Sequence, residues 1–363
     1  VNADPSCSGS AYEIDDIEIP FDNTWNMPMT LSGIDFDSKG NAWVCTMVGD
    51  VWRVSGLNED LQEVSWKRFA TGIFLPLGIC LVNDVPHVSA QDQIVALHDL
   101  NGDNEADYYE RFNKVDLPSR GQGRMDLQRD SDGNFYYSLS QGIYKLSKDG
   151  RQIEKIGKGS RNPLGCNVRA DGLALSDGSE GNKENGTCTI HEASHPENIN
   201  SSAKNKRILY LPRGIENSCG SRLFVNEEER FGPLGKSLIG LSFGRGTSYL
   251  ILRDANEGTP QAALMPLPGE FASGSARLKS NPQDGQLYIV GFDGWGDYGV
   301  KEGCFHRLRY TGRKTLLPSK WQAHSNGLVI HFNKELDPKS IKPDDFFVQQ
   351  WNYVDSANTY GSA

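Results

Sequence analysis

Long hydrophobic runs, runs of basic residues and long amphipathic helical patterns are all missing from this sequence of 363 residues. Without an apolar stretch long enough to cross a bilayer, the sequence predicts no membrane span. Lys and Arg number 37 against 47 Asp and Glu, which gives a net charge of −10. Such an acidic chain without a basic run is poorly suited to bind nucleic acids or anionic membranes. We therefore expect neither as a partner.

Cysteine is scarce, with seven residues, and its placement indicates an oxidising environment. Small buried hydrophobic positions inside apolar strand patterns explain three of them: Cys45, Cys80 and Cys166. Cys188 and Cys219 flank a polar segment and are the best candidates for a disulfide. The same segment carries N-glycosylation sequons at Asn185 and Asn200. Because the first ten residues also resemble a processed N-terminus, we expect a secreted, extracellular or periplasmic glycoprotein.

Short apolar runs separated by Gly, Asp and Asn dominate the chain, so we predict an all-β fold. A unit of alternating strand, polar turn and second strand recurs six times. Its first strands begin at Ile34, Ile79, Met125, Cys166, Leu241 and Ala276, at spacings of 45, 46, 41, 75 and 35 residues. Third strands are expected at residues 51–54, 94–97, 143–146 and 208–211. Repeats of about 40 to 50 residues made of short strands are typical of β-propellers, so we predict six blades.

The repeat pattern also predicts how the chain is divided. Residues 1–20 form an N-terminal extension, and residues 21–312 form the six-bladed β-propeller. The spacing of 75 residues predicts an insertion at about residues 178–206, which would contain both sequons. Residues 313–363 alternate like the opening strands of an immunoglobulin-like sandwich. They are too few for a complete one, so this β-rich C-terminal segment is incomplete or packs on the propeller.

The stretch DLNGDNEADYYE, residues 99–110, has the spacing of a calcium-binding loop. Side-chain oxygens fall at loop positions one, three, five, nine and twelve, and a backbone carbonyl falls at position seven. The corresponding residues are Asp99, Asn101, Asp103, Asp107, Glu110 and, for the carbonyl, Glu105. Asn104 replaces the usual Gly at position six, where Asn tolerates the left-handed conformation. We predict a structural calcium site without flanking helices; the alternative is an ordinary Asp- and Asn-rich turn.

Motifs for hydrolytic chemistry are weak in this chain. The sequence HEASH, residues 191–195, has zinc-peptidase spacing, but that spacing places both imidazoles on one face only in a helix. Pro196 follows directly and no helical periodicity surrounds the motif. We therefore interpret it as a chance match in a surface loop. No G-x-S-x-G sequence occurs either, so a Ser-His-Asp triad has no recognisable place.

Two stretches, FLPLG at residues 74–78 and RNPLG at residues 161–165, enter a predicted inner strand through Pro-Leu-Gly. In both, Pro fixes the approach and Gly permits close packing near the propeller axis. They differ in the first two residues, which are apolar in one stretch and are Arg161 and Asn162 in the other. Residues just before an inner strand line the mouth of the central channel. We therefore predict that Arg161 and Asn162 bind a carboxylate- or carbonyl-bearing small molecule.

The chain resembles the soluble quinoprotein sugar dehydrogenases, a glucose/sorbosone dehydrogenase-like family of propellers that bind pyrroloquinoline quinone (PQQ), and most of all their secreted bacterial relatives. The resemblance covers about residues 20–312 and rests on GDVWRV, RFATG, DLNGDNEAD, DGNFYYS, RNPLG and CFHRLRYTG. It implies that Arg161 and Asn162 contact the quinone and that a carbohydrate alcohol is oxidised. It also implies a cytochrome or another protein as redox partner.

Two residues depart from that family's pattern. Arg120, in SRGQGRMDL, stands where the family has its base histidine, and Leu164 replaces a polar residue. Arginine cannot accept a proton at neutral pH, so the catalytic base stays unknown and Arg120 is a candidate cofactor-binding residue instead. In GFDGWGDYG, Trp295 and Tyr298 either stack on a bound sugar or cover the end of the propeller.

Two functions remain open from the sequence. The first is a secreted quinoprotein sugar dehydrogenase-like propeller that oxidises a carbohydrate alcohol. The second is a non-catalytic, calcium-stabilised extracellular propeller that binds glycans or proteins. The resemblance favours the first function, and the missing base histidine favours the second.

Overall fold

Short antiparallel strands, β1 to β26 in chain order, make up most of the structure, which is a computed structural model. It describes residues 9–118, 125–169, 174–179, 187–193, 206–211, 214–225, 229–254, 261–294, 297–342 and 344. One 3-10 helical segment covers Glu229–Leu234. Among the described residues, no helix has the length and apolar character needed to cross a membrane.

Six sheets of four strands form the blades of a β-propeller, which confirms the predicted fold. Blades 1 and 2 consist of β2 (Leu31–Phe36), β3 (Ala42–Thr46), β4 (Val51–Ser55) and β5 (Ser65–Ala70), then β6 (Ile79–Val82), β7 (Val85–Ser89), β8 (Ile94–His98) and β9 (Tyr108–Arg111). Blades 3 and 4 consist of β10 (Met125–Arg129), β11 (Phe135–Leu139), β12 (Gly142–Leu146) and β13 (Ile153–Lys158), then β14 (Cys166–Val168), β15 (Ala174–Gly178), β16 (Cys188–Glu192) and β17 (Lys206–Leu211).

The last two blades follow the same order, with one exchange at the end. Blade 5 consists of β18 (Cys219–Phe224), β19 (Leu238–Ser242), β20 (Thr247–Asp254) and β21 (Gln261–Pro266). Blade 6 consists of β22 (Ser275–Ser280), β23 (Leu287–Phe292), β24 (Gly303–Tyr310) and, as its outermost strand, β1 (Tyr12–Asp16). Part of the predicted N-terminal extension is therefore a propeller strand, because pairing β1 with β24 closes the ring.

The innermost strands form a closed ring around the propeller axis. Each of β2, β6, β10, β14, β18 and β22 contacts the next, and β22 contacts β2 again. Glycines allow this close approach: a Cβ added at Gly33 would lie 3.1 Å from the Cα of Gly78. A Cβ added at Gly220 would lie 2.4 Å from the carbonyl oxygen of Ser275. The radial arrangement therefore depends on small residues in the inner strands.

Second strands are buried along nearly their whole length because neighbouring blades cover both of their faces. All residues of β3, β11 and β23 are buried. This burial explains why these strands appear in the sequence as nearly continuous apolar or aromatic runs instead of a simple alternation. The core of the propeller is the stack of side chains between adjacent blades.

Ring closure is reinforced by a buried cluster of charges where β1 meets β24. The carboxylate of Asp15 accepts hydrogen bonds from Nε of Arg307 at 2.9 Å and from Nε of Arg309 at 2.8 Å. Arg307 also donates to the carbonyl oxygens of Asn58 and Glu59, both at 2.8 Å. Blade 6 is thereby tied to the loop between β4 and β5 of blade 1.

The prediction for blade 5 is wrong in one respect. Leu241 lies in the second strand, β19, whereas the innermost strand begins at Cys219, 53 residues after Cys166. The spacing of 75 residues therefore skipped a strand. The predicted insertion at residues 178–206 contains β16, and residues 208–211 belong to the fourth strand of blade 4. The other predicted first strands and third strands coincide with observed strands at those places.

The C-terminal part is a hairpin within the described residues. Strands β25 (Pro318–His324) and β26 (Gly327–Phe332) pair with each other. The hairpin lies against blade 5, where Nε1 of Trp321 donates to the carbonyl oxygen of Leu252 at 2.6 Å. The predicted immunoglobulin-like sandwich is not confirmed, while packing of this segment on the propeller is observed.

Candidate functional site

The RNPLG corner at residues 161–165 is held in place by the end of β15. The amide of Ser179 donates to the carbonyl oxygen of Arg161 at 2.9 Å, and Oγ of Ser179 donates to that of Asn162 at 3.0 Å. The amide of Leu164 donates to Oδ1 of Asp177 at 2.7 Å. Asn162 has a φ of 39°, a left-handed conformation that Asn accepts more readily than most residues. These hydrogen bonds hold the backbone of the Arg-Asn pair in place.

A buried polar network lies behind this corner. Oδ2 of Asp177 accepts a hydrogen bond from Nη1 of Arg222 at 2.7 Å. Nη2 of Arg222 reaches the hydroxyl of Tyr249 at 3.5 Å, and that hydroxyl donates to Oε2 of Glu216 at 2.9 Å. All four side chains are buried. The corner thus rests on one chain of charged and polar contacts between blades 4 and 5.

Burial shifts the pKa values of both carboxyl groups in this network upward. It raises the pKa of Asp177 to about 6, although Arg222 and the amide of Leu164 favour the carboxylate. Asp177 is therefore mainly ionised at neutral pH. Burial raises the pKa of Glu216 to about 8, because its surroundings compensate less for the loss of water. Glu216 is accordingly protonated at neutral pH.

The FLPLG corner at residues 74–78 has the same backbone course. Leu75 has a φ of 49°, close to that of Asn162. The carbonyl oxygen of Phe74 accepts from the amide of Gln91 at 3.0 Å, as that of Arg161 does from Ser179. The sequence interpretation of Pro-Leu-Gly as a repeated structural corner is therefore supported by the geometry.

A cavity of about 420 Å³ lies at the propeller axis between the two corners. It is lined by Met47, Leu75, Leu77, Arg161, Asn162, Leu164, Ser179, Ser218, Phe243, Arg277, Phe292, Asp293 and Gly294. These residues come from blades 1, 2, 4, 5 and 6, as the radial fold requires. Its volume falls in the range of small-molecule sites. Arg161 and Asn162 therefore lie where the sequence predicted, in the wall of the axial cavity.

Arg277, on the inner strand of blade 6, is a second guanidinium that the sequence reasoning missed. Its Nη2 donates to the carbonyl oxygen of Leu77 at 2.8 Å, and its Nη1 donates to that of Ala276 at 3.0 Å. Its Nε lies 3.7 Å from Oδ1 of Asp126. The available signal was a charged residue between the apolar Ala276 and Leu278 of an inner strand, since such a side chain must face the axis or another charge.

Asp126 sits at the axis and anchors Arg277. It is buried and has a φ of 67°, a conformation that is unfavourable for a residue other than Gly. Oδ2 of Asp126 accepts a hydrogen bond from Oγ of Ser221 at 3.1 Å. The amide of Asp126 donates to the carbonyl oxygen of Leu77 at 3.2 Å. Strands of blades 3, 5 and 6 thus meet in one polar cluster beside the cavity.

The other predicted site residues are not among the described residues that line the axial cavity. Arg120 and Trp295 lie outside the described residues. Tyr298 is 67% exposed, its amide donates to the carbonyl oxygen of Gly244 at 2.9 Å, and the guanidinium of Arg245 lies 5.5 Å from its ring centre. Tyr298 does not belong to the described lining of the axial cavity. Its role in binding a substrate stays a prediction.

The predicted calcium loop is closed by its own backbone. Oδ1 and Oδ2 of Asp99 accept from the amides of Gly102 and Asn104 at 2.7 Å and 2.9 Å. Oδ2 of Asp107 accepts from the amide of Leu100 at 2.7 Å. Asn104 has a φ of 66°, as predicted.

Two of the predicted ligand residues of this loop have side chains that pair with basic residues. The carboxylate of Glu110 pairs with Nε2 of His98 at 3.1 Å and with Nζ of Lys114 at 3.2 Å, while that of Glu105 pairs with Nζ of Lys67 at 2.5 Å. In the described ranges, no group of three or more His, Cys, Asp or Glu side chains is arranged to hold a metal ion. Calcium binding therefore stays a prediction.

The zinc-like motif and the cysteine pair belong to the blade 4–blade 5 contact. His191 lies on strand β16, not on a helix, and its Nε2 is 2.6 Å from Oγ1 of Thr189. Burial lowers the pKa of His191 to about 3, so the ring is neutral. Cys188 and Cys219 are buried, and their thiols interact with each other without a disulfide between them. The predicted disulfide is thus not formed in this structure, although its two thiols are adjacent.

Structural comparison supports the fold. An oxidoreductase of glucose dehydrogenase type from Thermus thermophilus is similar at 14% identity, with a TM-score of 0.61, over 82% of this chain and 99% of that one. The PQQ-bound aldose sugar dehydrogenase of Streptomyces coelicolor shares 12% identity, with a TM-score of 0.60, over 82% and 98%. The holo PQQ domain of pyranose dehydrogenase from Coprinopsis cinerea shares 11% identity, with a TM-score of 0.59, over 83% and 96%.

These similarities establish a shared fold and nothing finer, because identities of this size are compatible with different activities on one scaffold. No protein family description and no curated protein matches the sequence. Function must accordingly be argued from the axial cavity itself.

Proposed function

We propose that the axial cavity binds a planar, anionic quinone of the PQQ class and that the protein uses it to oxidise a carbohydrate alcohol. The observation that carries the proposal is the pairing of Arg161 and Asn162, on a rigid corner, with the guanidinium of Arg277 in one cavity of about 420 Å³. This combination offers cationic and amide donors to a ligand that carries carboxylate and carbonyl groups.

The cavity fits such a ligand in both its charge and its apolar walls. PQQ is a flat, fused-ring quinone with carboxylate substituents, so it needs cationic partners at its edge and apolar contacts on its faces. Arg161 and Arg277 would bind the carboxylates, and the amide of Asn162 would donate to a carbonyl oxygen. The side chains of Phe243 and Phe292 would contact the ring faces. When bound, the quinone supplies a two-electron acceptor, and the protein supplies orientation and charge.

The solved structures of similar fold add support without deciding the activity. Two of them are described as PQQ-containing sugar dehydrogenases. Their fold is shared over most of this chain, which supports a quinone as the ligand of the axial cavity.

A corner exchange tests the binding step directly. The double variant Arg161→Phe with Asn162→Leu gives the blade 4 corner the residues of the blade 2 corner. Charge-assisted hydrogen bonds contribute about 1.5–3 kcal/mol each, so the dissociation constant of PQQ should rise about 10-fold to 150-fold or more. The measurement is a titration followed by quinone absorbance and fluorescence quenching. Arg151→Leu, which removes an exposed arginine elsewhere, should leave the affinity unchanged.

Turnover is then measured by dye reduction with a panel of aldoses and PQQ. Reduction that depends on both the sugar and the quinone supports the proposal. If the wild-type protein neither binds PQQ nor reduces the dye, the proposal is wrong.

The second candidate, a non-catalytic propeller that binds glycans or proteins, has one observation in its favour. No histidine is present among the described residues that line the axial cavity, and Leu164 lies there instead of a polar residue. A glycan-binding module would show affinity for oligosaccharides without any quinone, measurable by calorimetry. Calcium bound to the loop at residues 99–110 would stabilise it, as the spacing predicts.

We further propose that the protein functions outside the cytoplasm, where Cys188 and Cys219 become a disulfide between blades 4 and 5. The support is their adjacency and the interaction of their thiols in the folded chain. Peptide mapping of secreted protein under non-reducing conditions should find the linked pair. Recovery of both cysteines as free thiols would contradict this.

A further inference from the structure

An oxidation at the axial cavity needs a group that accepts the proton of the substrate hydroxyl. Arginine, asparagine and serine do not serve as bases at neutral pH, and the apolar lining residues have no basic group. Among the described residues that line the cavity, this leaves the carboxylate of Asp293. None of the described histidines lines it: His87, His98, His191, His306, His324 and His331.

Asp293 directly follows β23 and is held at the cavity edge by its backbone. Its amide donates to the carbonyl oxygen of Glu302 at 2.8 Å. Its side chain is exposed to the cavity mouth and to solvent, so a substrate hydroxyl can reach it. Because it directly follows β23, its backbone has a defined position relative to Arg277 on the adjacent strand β22.

A second carboxyl group, that of Asp297, lies within hydrogen-bond reach of Asp293. It is itself fixed by two backbone donors: Oδ2 accepts from the amide of Gly294 at 2.6 Å and Oδ1 from the amide of Gly299 at 2.8 Å. Burial, together with the neighbouring charge of Asp293, raises the pKa of Asp297 above its ordinary value. Two carboxylates this close repel each other, which disfavours the ionised form of Asp297.

We propose that Asp293 is the catalytic base of the axial cavity, with Asp297 as the neighbouring group that orients it. This proposal rests on the proposed function. The carboxylate of Asp293 takes the proton from the hydroxyl oxygen of the alcohol carbon being oxidised. A bound quinone would supply the two-electron acceptor for the hydride of that carbon, so that the alcohol would become a carbonyl compound. Asp293 then releases its proton to solvent at the cavity mouth.

The assignment also explains how the site functions with Arg120 at the position of the family's histidine. The base is supplied from the opposite part of the ring, by the loop after β23 of blade 6, instead of by the segment before β10 of blade 3. A base on blade 6 and a quinone-binding pair on blade 4 lie on different sides of the same cavity. A substrate between them would meet both.

The decisive variant is Asp293→Asn, which keeps the shape of the side chain and removes the base. Positioned general bases contribute about 10²-fold to 10⁴-fold, so kcat for aldose oxidation should fall by a factor in that range. The dissociation constant of PQQ should stay within about two-fold, because Asp293 is not needed to hold the quinone. Asp116→Asn, at a fully exposed carboxylate paired with Arg111, is the matched control and should change neither value.

A measurement without turnover tests the carboxyl pair itself. Carboxyl groups labelled with ¹³C are titrated by NMR in the wild-type protein and in Asp293→Asn. The pKa of Asp297 should fall in the variant, because a neutral amide replaces the neighbouring charge. An Asp297 titration that is identical in both proteins would show that the two carboxyls do not interact, which overturns the role given to Asp297.

The possible failures are distinguishable. If PQQ binds and sugar is oxidised but Asp293→Asn retains wild-type kcat, the base assignment is wrong and the proposed function stands. If PQQ does not bind to the wild-type protein at all, the proposed function is wrong and the base assignment is rejected with it.

Discussion

The corners at residues 74–78 and 161–165 share a backbone conformation and differ in what supports them. In blade 2 the amide of Leu77 donates to a backbone carbonyl oxygen, that of Ser89, at 3.3 Å. In blade 4 the amide of Leu164 donates instead to a side chain, Oδ1 of Asp177, at 2.7 Å. One corner is completed by ordinary strand hydrogen bonding, and the other by a buried carboxylate that also binds a guanidinium.

The difference teaches that the same turn can be built with or without buried charge. The blade 2 corner presents Phe74, which is 70% exposed, and contributes Leu75 to the apolar wall of the cavity. The blade 4 corner presents Arg161 and Asn162 and is fixed by the network that continues through Arg222. Arg161 and Asn162 thus lie on the corner that has the stronger polar support.

The largest expected effect is the loss of stability on removing Asp177, the carboxylate that distinguishes the two corners. In Asp177→Ala the buried guanidinium of Arg222 loses its charge partner, which costs about 3–5 kcal/mol. The free energy of unfolding, from urea titrations at pH 7.5, should fall by that amount. In the blade 2 corner, Ser89→Ala keeps the backbone acceptor and should change the free energy of unfolding by less than about 1 kcal/mol. Equal losses in the two variants would remove the distinction between the corners.

A second prediction compares the two corner glycines. A Cβ at Gly78 would lie 2.4 Å from the carbonyl carbon of Asp126, whereas a Cβ at Gly165 would come no closer than 3.0 Å, to the Cα of Ser221. Because backbone atoms cannot give way cheaply, Gly78→Ala should destabilise by about 1–3 kcal/mol, and Gly165→Ala by clearly less. Thermal unfolding of both variants in parallel checks the order, and the reverse order would contradict it.

A third prediction concerns pH, since only the blade 4 corner has a protonated carboxyl group behind it. The pKa of Glu216 is about 8 in the folded protein and has its ordinary value of 4.5 in the unfolded chain. At a pH between these two values, the folded protein therefore binds a proton that the unfolded chain has lost. Stability contributed by Glu216 should therefore decline as the pH rises from about 4.5 to 8. Glu216→Gln keeps the shape without the titration and should lose this slope.

The test compares urea midpoints at pH 5 and pH 8. The variant should gain stability relative to the wild type at pH 8, and Glu63→Gln, at an exposed carboxylate, should follow the wild type at both. Parallel pH profiles of Glu216→Gln and the wild type would show that this carboxyl is ionised in the folded state.

The smallest effect is expected from calcium, which would act on blade 2 alone. The loop at residues 99–110 joins β8 to β9, so bound calcium should raise the melting temperature by a few degrees at concentrations well above its dissociation constant. Asp99→Asn should abolish the increase, while the blade 4 variants should retain it. A melting temperature that calcium and a chelator leave unchanged would favour the ordinary-turn interpretation.

Much of the fold was predictable from local patterns, and the exception has a physical cause. In blades 1 to 4 and 6 a short connection joins the inner strand to the second strand, so the strand–turn–strand unit was recognised. In blade 5 the inner strand, CGSRLF, is separated from β19 by a longer segment that contains the 3-10 segment Glu229–Leu234, so the pattern matched β19 and β20 instead. The charge of Arg222 in that inner strand is balanced by Asp177 of the neighbouring blade, and this pairing cannot be read from the linear sequence.

Part of the candidate site was also predictable from the sequence. Arg161 and Asn162 stood out because they replaced apolar residues at one of two otherwise equal corners. Arg277 was missed because it has no local motif, and Asp293 was missed because only the aromatic residues of GFDGWGDYG were considered. Only the ring of inner strands brings them to the same cavity.

The sequence by itself determined the all-β class, the six repeats and the two Pro-Leu-Gly corners, because strand alternation, turn residues and glycine requirements act between near neighbours in the chain. Only the tertiary structure decided that β1 closes blade 6, that Asp177 supports the blade 4 corner, and that Arg161, Arg277 and Asp293 share one axial cavity. Those outcomes depend on which distant surfaces are brought into contact when the ring closes. Burial, charge pairing and cavity shape arise from that closure and cannot be predicted from a local sequence pattern.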